Sequence, residues 1–149
     1  MKKIILVFCA AFLFSCNSTK QETAKSATEV NKGTVKYEIL KEAGYQGREE
    51  KSFEIIEENA SLSKLYNEIN ETEIPKIDFS NSKVVALFLG QRNSGGYSIK
   101  VKSIEEKGGK VILKVEEVGP KSGEMALTVI TNPFTIVKLN TTKEIVISE

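Results

Sequence analysis

The sequence predicts a mainly β domain of the α+β kind: an antiparallel β-sandwich or partly open barrel of about seven to eight strands with one short helix. Three observations predict it. Apolar residues alternate with polar ones in one segment after another, which is the period of a half-buried strand. Turn-forming residues punctuate those segments, as in "RNSGGY" at 92–97 and "KGGK" at 107–110. A single stretch, "NASLSKLYNEINE", changes to helical spacing.

Val35, Tyr37 and Ile39 alternate in "TVKYEIL", and Phe53 and Ile55 do so in "KSFEII". These two strands read as a hairpin joined by "KEAGYQGREE", which carries two glycines. Leu62, Leu65, Tyr66 and Ile69 then share one face of a helix, with Asn59 or Ser61 placed to cap it. The loop "EIPKIDFSNS", with Pro75 and the chain's one aspartate, Asp78, leads into five segments that all read as strands: "KVVALFLG", "GYSIKVKSIEEK", "KVILKVEEV", "EMALTVI" and "FTIVKLN". Between two of them Gly108 and Gly109 fit a tight hairpin turn, because glycine accepts positive φ at little cost. The closing "TTKEIVISE" adds an edge strand.

The N-terminus has a different character. Lys2 and Lys3 precede an apolar run from Ile4 to Phe14, followed by Ser15 and Cys16, the layout of an export signal. The run is too short for a membrane-spanning helix, which needs about 20 apolar residues. "LFSC" at 13–16 resembles the lipobox of bacterial lipoproteins. That resemblance implies removal of residues 1–15 and lipidation of Cys16 with palmitate-type chains, each buried methylene adding about 0.8 kcal/mol of membrane affinity. The protein is then expected in the bacterial cell envelope, facing the periplasm or the cell surface and touching the membrane through its lipid anchor only. Cys9 leaves with the signal, so no disulfide framework remains.

Residues 17–32, "NSTKQETAKSATEVNK", hold one strongly apolar residue, Val30, and cannot bury enough surface to offset their ordering entropy. They read as a tether that reaches roughly 20 to 25 Å as a flexible coil. Residues 33–149 form a single globular domain, long enough to bury about two-thirds of its unfolded surface.

Composition removes several function classes. Loss of Lys2 and Lys3 leaves 19 basic against 20 acidic residues, formally minus one, without the basic footprint of a nucleic-acid binder. The chain has no histidine, so Ser-His-Asp and Cys-His arrangements are impossible, as are the usual imidazole-containing zinc sites. The paired glutamates at 49, 57, 105 and 116 read as solvated faces, not as a glycosidase dyad. "Ser61-Leu62-Ser63-Lys64" matches the S-x-x-K pattern of serine acyltransferases, and "Lys121-Ser122-Gly123" is similar to their K-T-G element. Helix capping is the simpler account of Ser61, and a Ser-Lys envelope hydrolase is the third reading of the chain.

The segment "GQRNSGGYSI" at 90–99 has the glycine spacing of a phosphate loop, Gly90 to Gly95. Such a loop requires Lys and then Ser or Thr after the second glycine, followed by a helix. Here Gly96 and Tyr97 follow, and the next residues alternate as a strand, so neither nucleotide nor any other cofactor is expected. As a hairpin loop, the segment takes positive φ at Gly95 and Gly96 and a turn-favouring side chain from Asn93. It also holds Arg92, one of two arginines beside 19 lysines, and Tyr97, both residue types favoured at protein contacts. Arg92, Asn93, Ser94, Gly95, Gly96 and Tyr97 are therefore the candidate contact loop, with Pro133 and Phe134 as second contact candidates.

"IPKIDFSNSKVVALFLGQRNSGGYSIKV", "GP" at 119–120 and "VITNPFTIVKLN" together resemble the PrcB C-terminal domain family over roughly Leu62 to Asn140. The shared features are Asp-Phe before a strand, a Gly-Gly-Tyr loop and a Thr-x-Pro-aromatic segment. That family is named for a lipoprotein subunit of an extracellular protease complex. The resemblance implies a non-catalytic domain that associates with or supports an envelope or secreted protease. A second resemblance, to chagasin-like cysteine-protease inhibitors, implies a wedge of loops, the second being Gly119 to Met125 and the third Thr131 to Phe134. It makes direct peptidase inhibition the alternative function.

Overall fold

The computed structural model describes residues 29–30, 35–121, 123 and 127–149. The expected export signal (residues 1–15), the expected lipidation site Cys16 and residues 17–28 lie outside the described residues, as do 31–34, Ser122 and 124–126.

Strand β4, Lys83–Phe88, decides the architecture. Its run Val84 to Leu89 has no polar residue, so both of its faces must be covered. Helix α1, Asn59–Glu68, covers one face, where Val84, Ala86 and Phe88 pack with Leu62, Leu65 and Tyr66. A second sheet covers the other, where Val85, Leu87 and Leu89 meet Ile99, Leu113 and Val115. The result is three layers: a helix, a five-stranded sheet and a three-stranded sheet.

The central sheet contains β1 (Glu29–Val30), β2 (Tyr37–Ala43), β3 (Ser52–Ile56), β4 and β7 (Phe134–Leu139), in the order β1-β2-β7-β4-β3. β1 falls inside the stretch read as tether, so sheet pairing already begins at Glu29, opposite Glu38. The outer sheet orders β5 (Ser98–Lys107), β6 (Lys110–Val118) and β8 (Ile145–Ser148). The eight strands and one helix among the described residues form an open, β-rich α+β sandwich, with no closed barrel. Gly108 and Gly109, at φ +61° and +78°, make the predicted β5–β6 hairpin turn.

Four expectations are corrected. β2 and β3 do not form a hairpin: β2 pairs with β7 and β3 with β4. β4 and β7 are almost wholly buried and take the centre, which pushes the alternating, half-polar strands outward. The sheets are not purely antiparallel, since β8 runs parallel to β6 after crossing from β7. "EMALTVI" is not a strand where it is described: Leu127 to Ile130 lie outside any strand, and only Thr131 forms a bridge, to Arg92. Lastly, neither Asn59 nor Ser61 caps α1; Glu58 holds the cap position in an extended conformation without a side-chain cap bond.

A one-residue irregularity at Leu40 shifts the β2–β7 register. Before it, Tyr37 and Ile39 face the outer sheet; Leu40 and Ala43 face the helix. An inserted residue reverses the inside-outside alternation, which is the expected effect of a bulge. The two sheets are also joined by a polar bond, from the Thr135 hydroxyl to the Ile99 carbonyl oxygen at 2.7 Å.

Candidate functional site

Segments from distant parts of the chain meet at one end of the sandwich, beyond Ala43, Phe88 and Phe134. The β2–β3 connection crosses the ends of the two central strands and is tied down there. The Gly47 amide donates to the Asn132 carbonyl at 3.0 Å, the Asn132 amide to the Gly44 carbonyl at 3.0 Å, and the Gln91 amide to the Glu49 carbonyl at 2.9 Å. Gly90 is required at this crossing: its φ is +84°, and a Cβ would stand 2.8 Å from the Lys51 nitrogen.

The candidate contact loop starts from that anchor. The Arg92 amide donates to the Thr131 carbonyl at 2.8 Å, and the Thr131 amide returns a bond to the Arg92 carbonyl at 2.9 Å. The Gly95 amide donates to the Leu127 carbonyl at 2.9 Å, and the buried Thr131 hydroxyl donates to the Ser94 carbonyl at 2.9 Å. Gly96 alone supplies the turn's positive φ, +87°, whereas Gly95 has none, a correction to the expected pair. A Cβ on Gly96 would also press on Pro120 at 3.2 Å.

Arg92 is spent within the molecule. Its Nε and Nη2 grip the two Glu117 carboxylate oxygens at 3.0 and 2.8 Å, and its Nη1 donates to the Gln91 carbonyl at 2.9 Å. The guanidinium lies 5.7 Å from the Tyr97 ring centroid. The paired hydrogen bonds raise the Arg92 pKa further and hold the Glu117 carboxyl below its ordinary range. Tyr97 packs against Gly119, where a Cβ would lie 3.1 Å from the ring. Beside Tyr97 lies a shallow cleft of about 450 Å³, lined by Glu42, Ala43, Gly44 and Ser98.

Arg92 and Tyr97 are thus half-buried braces, while Asn93 and Gly96 are the exposed members of the loop. Pro133 and Phe134, the second contact candidates, are both buried, and this too is a correction. The Phe134 ring sits 5.9 Å from Phe88 in the helix-side core, and the Pro133 carbonyl accepts the Leu89 amide at 2.9 Å. Strand β7 needs both to close the sheet. What the end presents instead is apolar: Leu127 is 76% exposed, Ile130 61% and Tyr45 53%. Sequence reasoning missed Leu127 and Ile130 because their segment looked like a half-buried strand, and Tyr45 because it falls in the connection read as a hairpin loop.

The sequence also left Arg48 unremarked. Its Nε and Nη2 bond Glu68 at 2.6 and 2.9 Å, and Nη2 reaches Glu54 at 2.7 Å. The guanidinium stacks 4.3 Å from the Phe88 ring centroid, and the bonds to Arg48 depress the Glu68 carboxyl. Asp78 is likewise structural. It accepts the Ser80 hydroxyl at 2.6 Å, the Ser80 amide at 3.0 Å and the Asn81 side-chain amide at 2.8 Å, shaping the turn before β4. The Ser61 hydroxyl donates to Glu58 at 3.0 Å, so its partner is a carboxylate and not Lys64. Among the described residues no group of three or more acidic, cysteine or histidine side chains is placed to hold a metal ion.

These features define a β-rich sandwich whose elaborated end is a braced set of loops. Residues 83–140 match the family model described as PrcB C-terminal, the family that the motifs resemble. The match runs from the first residue of β4 past the end of β7, and so includes the 92–97 loop, Glu117 and the 127–134 segment. No curated protein and no solved structure matches the chain.

Proposed function

We propose that the protein is a lipid-anchored, non-catalytic interaction domain of the bacterial envelope. It associates with or supports an extracytoplasmic protease complex and contacts its protein partner through the loop end. The carrying observation is that loop 92–97 is hydrogen-bonded to 127–131 and clamped to Glu117, which holds exposed Asn93, Gly96, Leu127 and Ile130 on a preorganised surface. Preorganisation lowers the ordering cost of association. The family match supports a protease-complex partner, since the family takes its name from such a lipoprotein subunit. Affinity capture from envelopes carrying the anchored full chain provides the test. Arg92→Ala combined with Tyr97→Ala should release the brace and sharply reduce partner recovery; unchanged recovery counts against the site.

One observation favours a second reading. Loop 92–97, Gly119–Pro120 and the 127–132 segment converge at one end, as the wedge of a chagasin-like inhibitor would require. This reading demands loss of peptidase activity on stoichiometric mixing, and a panel of cysteine and serine peptidases left fully active would sink it.

A further inference from the structure

Helix α1 ends in a Schellman motif. The Asn70 amide donates to the Asn67 carbonyl at 3.1 Å and the Glu71 amide to the Tyr66 carbonyl at 2.8 Å, with Asn70 at φ +56°. In such a motif the residue after the left-handed one is often apolar and packs back on the helix. Here that residue is Glu71, which brings a carboxylate close to Tyr66, and Lys41 of β2 meets it at 2.5 Å.

The bulge in β2 completes a cleft at this place, because it turns Leu40 to the helix side. Leu40 joins Ile74 and Pro75 as apolar lining of a cavity of about 370 Å³, a volume within the range of small-ligand sites. Lys41, Glu71 and Glu73 also line it, and Ile74 is 42% exposed. Tyr66, a lining residue too, is only 2% exposed, and among the described residues its hydroxyl makes no hydrogen bond. No fully buried side-chain oxygen is left without a partner there, so this hydroxyl is the part of Tyr66 that opens into the cleft. Burial and the Glu71 carboxylate push its pKa up to about 12, so it keeps its proton and offers a donor.

We propose that this cleft binds an apolar residue of a polypeptide, with the side chain against Leu40, Ile74 and Pro75 and the neutral backbone carbonyl accepting the Tyr66 hydroxyl. The charges select the occupant. A carboxylate or phosphate could accept the same bond, but two carboxylates and one ammonium line the cleft, so an anion is repelled. An ammonium has no acceptor to give the phenol. An ester has a carbonyl and no N–H, whereas a peptide group has both and can donate to a lining carboxylate. The lining residues all precede Lys83, so the cleft lies outside the residues that match the family model and apart from the loop end. It is a second contact site, independent of the first.

The test is a methyl NMR titration of the full chain with N-acetyl-L-leucine methylamide, with N-acetyl-L-leucine as the anionic counterpart. The Leu40 and Ile74 methyl signals should shift saturably with the methylamide and respond more weakly to the acid. Tyr66→Phe, which removes the hydroxyl alone, should weaken methylamide binding about fivefold, the worth of one hydrogen bond. The urea midpoint of that variant should stay unchanged, since the hydroxyl bonds nothing within the described chain. Unchanged affinity in Tyr66→Phe, an acid that binds as well as the amide, or saturable shifts at Leu127 and Ile130 in place of Leu40 and Ile74 would each overturn the proposal. Shifts that never saturate would overturn it as well and leave the hydroxyl to solvent water.

Discussion

Arg48 and Arg92 are the chain's two arginines, and each forks onto glutamate while lying over an aromatic ring. Their surroundings differ. Arg48 binds two glutamates and rests 4.3 Å from Phe88, a ring with no solvent exposure, so it ties the β2–β3 connection to strand, helix and core together. Arg92 binds one glutamate and rests 5.7 Å from half-buried Tyr97 at the rim. The same side chain is a structural rivet in one place and a brace of a surface loop in the other. Rarity of arginine therefore does not identify a contact residue: both guanidinium groups are spent on glutamates of this chain.

The most damaging way to break the contrast is to remove the platform on the Arg48 side. Phe88→Ala deletes a fully buried ring and should cost about 3 to 5 kcal/mol in urea unfolding, with a loss below about 1 kcal/mol contradicting its core role. Next comes Arg48→Ala, expected to cost about 1.5 to 3 kcal/mol because charge-assisted bonds to two carboxylates are lost. Arg48→Lys should recover only part of that, since an ammonium lacks the planar fork. Arg92→Ala should cost less, under about 1 kcal/mol, because Arg92 forks onto one carboxylate over a half-buried ring, whereas Arg48 holds two carboxylates over a buried one. Its larger effect should fall on partner capture and on amide exchange at Gly95 and Thr131, and a stability loss equal to that of Arg48→Ala would erase the distinction.

The smallest effect is electrostatic. Glu68 and Glu117 are both held below the ordinary carboxylate value of about 4.3 by the arginine hydrogen bonds. A depressed folded-state pKa contributes stability that is present above the unfolded value and is lost as pH falls through the folded one. The arginines stay charged throughout, so the contribution of these two pairs should decline only on the acid side. In an NMR titration of carboxylates, Arg48→Ala should return Glu68 toward its ordinary value and leave Glu117 alone, and Arg92→Ala should do the opposite. Movement of both carboxylates in either variant would mean that the two regions are coupled.

Much of the fold was legible in the residues. Alternation located β2, β3, β5 and β6, and the apolar run "KVVALFLG" and the closing "TTKEIVISE" were legible as strands, β4 and β8. The helical spacing of Leu62, Leu65 and Tyr66 put α1 in place, and two adjacent glycines gave the hairpin at 108–109. Pairing was not legible. β2 and β3 are neighbours in sequence and sit apart in the sheet, because partner choice depends on which strands need two covered faces. The same limit explains the site. Alternation in "EMALTVI" looked like a strand, yet a strand needs a partner along its whole length, and among the described residues 127–131 is bonded only at its two ends, Leu127 and Thr131. Pro133 and Phe134 had the residue types of a contact, and their burial depended on packing against Phe88 and Leu89.

By itself, the sequence determined what each short segment could be: period, turn chemistry and the absence of histidine are local properties, set by neighbouring residues and by the side chains available. Only the tertiary structure decided which segments meet. Glu117 and Arg92 are 25 residues apart, and Thr131 and Ser94 are 37 apart. Whether such groups bond depends on how two sheets and a helix pack on each other, so the braced loop end emerges only when the layers close.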